Sequence, residues 1–198
     1  MIKNVVFDLG QVLFRFEPKH LVEKYVATEE DKELLANVLF SRELWDRLDA
    51  GTIEDSAVVD IAKSRLPERL HGACAMAYQN WIYNMPQIPG MREVVSRVKK
   101  MGKKVLLLSN ISKYFASHAS EFDILSEFEF CFFSAEHGLT KPSREIYERL
   151  CEITQIVPEE TIFIDDSQKN LDGASMIGIK TYLFDGDAKR LFDFVCTL

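Results

Sequence analysis

The stretch Asn4-Val5-Val6-Phe7-Asp8-Leu9-Gly10 indicates the fold, because a short apolar run ends abruptly at an aspartate and a glycine. Near-continuous apolar runs of this length are typical of strands that are buried on both faces of a parallel sheet. Two later runs have the same character, Lys104-Val105-Leu106-Leu107-Leu108 and Thr161-Ile162-Phe163-Ile164. Weaker strand candidates cover residues 130–133 and 179–184. The sequence therefore predicts a sheet of up to five strands.

Helical patterns alternate with these strands. Residues 90–101 form a helical pattern that ends at Gly102, residues 142–153 begin with a proline, and residues 170–177 end before Gly178. Strands that alternate with helices are typical of an α/β fold with a doubly wound, Rossmann-like parallel sheet. The connections between parallel strands are expected to be right-handed crossovers.

Residues 17–85, called the helical insertion below, differ from this alternation. They contain no convincing strand, and helical patterns recur along the whole segment. We predict an all-helical domain over residues 17–85, inserted into an α/β catalytic core formed by residues 1–16 and 86–198. The predicted helices of the insertion cover residues 19–27, 31–39, 42–48, 53–64 and 68–83.

Composition and charge exclude several classes of protein. The 198 residues are 47% hydrophobic and 28% charged, which is ordinary for a globular domain and excludes a disordered or collagen-like chain. Acidic residues outnumber basic ones by 31 to 24, and the net charge of −7 disfavours nucleic-acid binding. No apolar stretch approaches the roughly 20 residues that span a membrane.

Cysteine usage and the first residues bear on the cellular compartment. The four cysteines are scattered and form no CxxC pair, and residues 1–7 leave no room for the apolar core of a signal peptide. We therefore expect a cytoplasmic protein with reduced thiols. Its oligomeric state is left open between monomer and homodimer.

Polar groups suited to phosphate chemistry follow four of the predicted strands. Asp8 follows the first, Ser109-Asn110 the second, Lys141 lies in a loop after the third, and Asp165-Asp166 follows the fourth. In open parallel sheets, ligands bind at the carboxyl ends of the strands. Each group alone also has an ordinary structural interpretation: a helix cap or turn for the aspartates, a turn for Ser109-Asn110 and a solvated surface position for Lys141. Together, in this order, they are suited to hold a phosphate and a hard cation.

These four motifs resemble those of the haloacid dehalogenase superfamily over essentially the whole chain. The matching motifs are Val5-Val6-Phe7-Asp8, Leu106-Leu107-Leu108-Ser109, Lys141-Pro142 and Ile162-Phe163-Ile164-Asp165-Asp166. The helical insertion resembles the helical cap of that superfamily. Two further stretches resemble its bacterial sugar-phosphatase branch, which acts on α-glucose 1-phosphate: Asp8-Leu9-Gly10, and Leu48-Asp49-Ala50-Gly51-Thr52-Ile53 in the insertion.

The resemblance implies a Mg²⁺-dependent phosphatase that acts on a small phosphomonoester. Asp8 would attack phosphorus and form an aspartyl-phosphate, and the positive charge of Lys141 would offset the repulsion between carboxylate and phosphate. The Mg²⁺ ligands would be the Asp8 carboxylate, the Gly10 carbonyl and Asp166. Asp165 would hold Lys141 or a metal-bound water.

The resemblance also implies roles in binding. Ser109 and the Asn110 backbone would donate hydrogen bonds to the phosphoryl oxygens, together with Lys141. Arg15 and Phe16, just past the nucleophile loop, are the candidate contacts to the leaving group. Trp45 and Trp81 lie in apolar helical patterns, and we expect them to serve in helix packing.

One position departs from the superfamily's phosphatase pattern. Gly10 stands where most of these phosphatases carry a second aspartate, which acts as general acid and base. The same departure is found in metal-independent haloacid dehalogenases, so dehalogenation is one alternative. The Asp165-Asp166 pair favours a metal-dependent phosphatase over it. A second alternative is a catalytically weak phosphate-binding module.

Overall fold

The computed structural model describes residues Met1–Leu198 and contains one five-stranded sheet. The spatial order of the strands is β3-β2-β1-β4-β5, and every neighbouring pair is parallel. This order confirms the predicted doubly wound α/β fold, and each strand lies where the apolar runs predicted one. The strands are β1 (Asn4–Phe7), β2 (Lys104–Ser109), β3 (Phe130–Phe133), β4 (Thr161–Asp165) and β5 (Lys180–Leu183).

The helical insertion contains five α-helices and no strand. Helix α2 begins at a true cap, because the Thr28 hydroxyl accepts a hydrogen bond from the Asp31 backbone N–H. The long helix predicted over residues 68–83 is divided, since 3₁₀ turns flank its central α-helix. The helices are α1 (Pro18–Val22), α2 (Glu29–Leu39), α3 (Arg42–Asp49), α4 (Asp55–Arg65) and α5 (His71–Asn80).

Six further α-helices follow the insertion, and three of them match the predicted ones. The other three were not predicted: two short helices that follow strands β2 and β3, and the last helix of the chain. The helices are α6 (Met91–Lys100), α7 (Lys113–His118), α8 (Ser134–His137), α9 (Arg144–Thr154), α10 (Gln168–Ser175) and α11 (Ala188–Val195).

Side chains of the strands alternate between two apolar layers. Val6 faces the layer formed with α9 and α10, whereas Val5 and Phe7 face the layer that contains α6 and α11. The buried side chains of the helical insertion belong to this second layer. One continuous apolar cluster thus joins the insertion to the sheet. That residues 17–85 form a separate domain stays a prediction.

The register of the central strands brings the motif residues together. Phe7 at the end of β1 pairs with Leu107 of β2 on one side and with Ile164 of β4 on the other. Asp8, Ser109 and Asp165 therefore emerge at one edge of the sheet.

All four cysteines are free thiols. No helix combines the length and the apolar character that crossing a bilayer requires.

Candidate active site

Lys141 lies between two buried carboxylates at the carboxyl edge of the sheet. Its Nζ is 2.7 Å from Asp8 Oδ1 and 2.7 Å from Asp165 Oδ2. The Lys141 side chain is 1% exposed, and those of Asp8 and Asp165 are 10% and 0% exposed. Burying a lysine this deeply is tolerated only when its charge is paired. The three side chains therefore form one electrostatic unit.

The pKa values of this unit reflect the competition between burial and pairing. Burial lowers the pKa of Lys141, but Asp8 and Asp165 outweigh that effect and raise it, so the ammonium stays charged. Burial raises the pKa of Asp8 to about 7, against the lowering effect of Lys141, and Asp165 adds to the rise. Further positive charge beside Asp8 would lower its pKa and favour the ionised carboxylate.

The Asp8 carboxylate is fixed through one of its two oxygens. Oδ1 accepts a hydrogen bond from the Leu9 backbone N–H, at 2.7 Å, and forms the ion pair with Lys141. No hydrogen bond within the protein engages Oδ2. The carboxylate is thus oriented by one oxygen, and the other is free to contact a ligand.

Asp165 is saturated with hydrogen bonds and is a positioning residue. Besides Lys141, it accepts from the Ser167 backbone N–H at 2.8 Å and from Asn170 Nδ2 at 3.1 Å to each oxygen. Sequence reasoning missed Asn170. Asn170 lies in the first turn of α10, shortly after the acidic pair that ends β4. This position would have allowed its prediction as a site residue. Asn170 holds the carboxylate that holds Lys141.

Replacing Asn170 with alanine tests this positioning role. Because hydrogen bonds to a charged group are worth about 1.5–3 kcal/mol, we expect Asn170→Ala to lower the free energy of unfolding by about that amount. Urea denaturation measures the loss. Asn80→Ala is the matched control. The Asn80 amide donates one exposed hydrogen bond, to the backbone carbonyl of Met76 in the same helix. Equal stability of the two variants would contradict the role of Asn170.

Asn110 joins the loops that carry Ser109 and Lys141. Its Oδ1 accepts from the Lys141 backbone N–H at 2.8 Å, and its Nδ2 donates to the Lys141 carbonyl at 3.0 Å. The amide side chain is therefore occupied. The Asn110 backbone N–H and the Ser109 hydroxyl make no hydrogen bond within the protein. Both are available as donors to a ligand.

A cavity of about 380 Å³, called the site cavity below, opens above these residues. Its polar floor brings together the motif residues predicted from the sequence. Its other side combines apolar side chains, most of them from the helical insertion, with Arg42, Asp46 and Asp49. The floor includes Asp8, Gly10, Ser109, Asn110, Lys141 and Asp166, and the apolar side includes Phe16, Phe40, Trp45, Trp81 and Met85.

Four of the apolar residues form an aromatic wall, defined as Phe16, Phe40, Trp45 and Trp81. Trp45 is central, because its ring centroid lies 4.8 Å from that of Trp81, 5.0 Å from that of Phe16 and 5.1 Å from that of Phe40. The tryptophans do pack helices, as expected from the sequence. They also line the site cavity, which the sequence pattern did not indicate.

Arg15 and Phe16 were predicted together as leaving-group contacts, and the structure separates them. Phe16 lines the site cavity and packs within the aromatic wall. Arg15 is exposed, lies 3.9 Å from Glu17 in a loose ion pair, and does not line the cavity. Burial of the apolar Phe16 ring is favourable, whereas burial of the Arg15 guanidinium would cost its hydration. Arg15 is therefore not placed to contact a ligand there.

The acidic residues of the floor fit a divalent cation. Carboxylate oxygens of Asp8, Asp165 and Asp166 lie within 4.8 Å of one another. Asp166 takes part in no ion pair, and partial burial together with the neighbouring Asp165 raises the pKa of its carboxyl. Three carboxylates face one ammonium, so ionised groups leave two negative charges in excess. A hard, oxygen-preferring divalent cation such as Mg²⁺ would neutralise them.

Comparison with known proteins agrees with this geometry. The sequence is 24% identical over 194 residues to a D-ribitol-5-phosphate phosphatase of Bacteroides thetaiotaomicron, covering 92% of this chain and 91% of that protein. It is 26% identical over 185 residues to a sesquiterpene phosphatase of Aspergillus oryzae, covering 89% and 87%.

Solved structures share the fold. A haloacid-dehalogenase-family enzyme of B. thetaiotaomicron, solved with magnesium and inorganic phosphate, superposes with a TM-score of 0.77 at 24% identity, covering 97% of this chain and 100% of that one. An L-2-haloacid dehalogenase of Xanthobacter autotrophicus superposes with a TM-score of 0.68 at 18% identity, covering 91% and 76%. The family of haloacid dehalogenase-like hydrolases itself matches residues 2–178. With the strand-end motifs in place on this fold, the chain belongs to the haloacid dehalogenase-like hydrolases.

Proposed function

We propose that the protein is a Mg²⁺-dependent phosphomonoester hydrolase that acts through an aspartyl-phosphate on Asp8. The observation that carries the proposal is the convergence, in one cavity, of a buried Lys141–Asp8–Asp165 unit with a free carboxylate at Asp166. A carboxylate nucleophile needs positive charge beside it before it can approach a phosphate. Lys141 supplies one such charge.

The site residues divide the work of phosphoryl transfer. Asp8 Oδ2 makes no hydrogen bond within the protein and is the oxygen available to attack phosphorus. The Ser109 hydroxyl, the Asn110 backbone N–H and the Lys141 ammonium are donors for the phosphoryl oxygens, on which charge is spread during transfer. Asp165 and Asn170 keep Lys141 oriented. Each role uses a group that is either free or fixed in the way the role requires.

The remaining oxygen ligands of the site are suited to bind Mg²⁺. Asp8, Asp166 and the Gly10 carbonyl would hold the ion, with Asp165 occupied by Lys141. When bound, the cation supplies Lewis-acid charge that neutralises the phosphoryl oxygens. This assignment is supported by the excess of carboxylates over ammonium groups in the floor. It is also supported by the related fold that was solved with magnesium and inorganic phosphate.

The substrate we propose is a small phosphorylated metabolite, with a sugar 1-phosphate as the first candidate. A cavity of this volume is ordinary for a small-molecule site. The name of one relative specifies a phosphorylated sugar alcohol, D-ribitol 5-phosphate. Aromatic side chains can stack against the apolar face of a sugar ring, and Trp45 and Phe16 are placed for such a contact.

The aromatic wall favours a second candidate, the phosphomonoester of an apolar alcohol. Seven apolar residues line the cavity, and no arginine or lysine of the helical insertion except Arg42 does so. One relative is named as a sesquiterpene phosphatase. An isoprenyl monophosphate would place its phosphoryl group on the polar floor and its apolar chain against the wall.

A substrate panel with and without metal tests the proposal. We expect phosphate release from p-nitrophenyl phosphate in Mg²⁺, with EDTA reducing the rate to the uncatalysed level. α-Glucose 1-phosphate, a sugar-alcohol phosphate and an isoprenyl monophosphate, compared by kcat/KM, then rank the candidate classes. Metal-independent chloride release from 2-chloropropionate, without phosphate release, would contradict the proposal and indicate a dehalogenase. Phosphate binding without turnover of any compound would indicate a binding module.

A further inference from the structure

The polar floor of the site cavity lacks a proton donor for the leaving group. Gly10 has no side chain, and nothing lies within 4 Å of the position that a Cβ there would occupy. The remaining carboxyl groups of the floor are engaged with Lys141 or assigned to the cation. Expelling an alkoxide without a proton is slow, and a general acid typically contributes about 10²–10⁴-fold to the rate. Another residue of the cavity is needed for this task.

Asp49 offers an unused carboxyl group on the other side of the site cavity. It lies at the end of α3 and lines the cavity together with Asp8 and Lys141. Its Oδ1 is shielded from solvent and has no hydrogen-bond partner. An unpartnered buried carboxyl oxygen is costly in a folded protein unless a ligand engages it.

The backbone of Asp49 is fixed to the loop that follows β2. Ser134 Oγ donates to the Asp49 carbonyl at 2.6 Å and accepts from the Ile111 backbone N–H at 2.9 Å. Gly51 presses against Ala135, where a Cβ would lie 2.5 Å from the carbonyl oxygen, and its φ of +66° also favours glycine. The Asp49 backbone is therefore tied through Ser134 to Ile111, the residue that follows Ser109 and Asn110.

The charges around Asp49 favour its protonated form. Burial raises the pKa of Asp49 to about 7, and Asp46 adds to the rise, whereas Lys141 and Arg42 oppose it. A large fraction of the side chain therefore carries a proton at neutral pH. A general acid works best when its pKa lies near the working pH.

We propose that Asp49 is the general acid and base of this hydrolase, in place of the aspartate that is missing at position 10. As Asp8 attacks phosphorus and the P–O bond to the leaving group breaks, the Asp49 carboxyl proton passes to the departing oxygen, and the alcohol leaves. Asp49 carboxylate then takes a proton from water as the water oxygen attacks phosphorus. The bond between phosphorus and Asp8 breaks, which releases phosphate and restores both carboxyl groups.

Leaving-group dependence tests this role, which rests on the proposed function. For Asp49→Asn, we expect kcat/KM on an alkyl phosphomonoester such as glycerol 2-phosphate to fall by about 10²–10⁴-fold. On p-nitrophenyl phosphate, whose leaving group needs no proton, kcat/KM should fall by less than about tenfold. A purely structural role would lower both values by the same factor and would overturn the inference.

Two further variants complete the test. Asp60→Asn, an exposed aspartate of α4 outside the cavity, is the matched control and should leave both values unchanged. Adding Gly10→Asp to Asp49→Asn should restore at least about tenfold on the alkyl ester, because position 10 has open space. Absence of rescue, together with equal losses on both esters, would overturn the role of Asp49 but not the proposed function. An unmodified enzyme that hydrolyses neither ester would overturn the proposed function as well.

Discussion

Asp8→Asn should abolish phosphatase activity and leave the fold intact. The amide is a poor nucleophile, and loss of a covalent nucleophile commonly costs more than about 10⁴-fold in kcat. The fold should survive because Lys141 keeps its second carboxylate partner, Asp165. Phosphate release in Mg²⁺ measures the activity, and circular dichroism with urea denaturation measures the fold.

The matched control for this substitution is Asp60→Asn, which makes the same chemical change at an exposed position. We expect it to retain the activity of the unmodified enzyme. An Asp8→Asn variant with full activity would refute Asp8 as the nucleophile. An unfolded Asp8→Asn variant would instead contradict the claim that Asp165 alone suffices to hold Lys141.

Lys141→Met should have the largest combined effect on stability and turnover. Methionine fills a similar volume but leaves Asp8 and Asp165 buried side by side without their shared cation. Breaking a buried ion pair from one side typically costs about 3–5 kcal/mol in the free energy of unfolding. The nucleophile would also lose the ammonium that offsets its repulsion from phosphate. We expect activity at background level and a correspondingly lower urea midpoint.

The pH dependence of this defect has a definite sign. In Lys141→Met, the folded-state pKa of Asp8 lies further above that of the unfolded chain, because burial raises it and the lowering effect of Lys141 is gone. The folded state then binds the extra proton, so the stability lost at neutral pH returns as the pH falls through that pKa. Lys189→Met, an exposed lysine of α11, is the control. A Lys141→Met defect that does not diminish at lower pH would contradict the pairing argument.

Local patterns in the sequence were sufficient to predict the strands and the residues that form the polar floor of the site cavity. A strand buried on both faces must be apolar throughout, as Val5, Val6 and Phe7 are, and such a run is visible without tertiary information. The polar residue that ends each run is then directed to the same edge of a parallel sheet. This is why Asp8, Ser109 and Asp166 meet in the structure as the motifs predicted, and the loop after β3 brings Lys141 to the same edge.

Features that depend on contacts between distant segments were not predictable in the same way. Asn170 and Asp49 lie near or within motifs that the sequence does show, but the contacts of their side chains depend on α10 and on the helical insertion. Arg15 was predicted from its position along the chain alone, which does not specify the direction of a side chain. Helix α11 did carry a local signal, since Asp187 accepts from Arg190 N at its start and Leu191 and Val195 recur at helical spacing.

The stereochemistry of phosphoryl transfer tests the central claim most directly. A phosphorothioate monoester, made chiral at phosphorus with oxygen isotopes, would be hydrolysed by the enzyme in isotopically labelled water with Mg²⁺. Transfer to Asp8 and then to water comprises two in-line displacements, each of which inverts the configuration. We predict net retention at phosphorus. Net inversion would mean that water attacks the substrate directly, and would contradict an aspartyl-phosphate on Asp8.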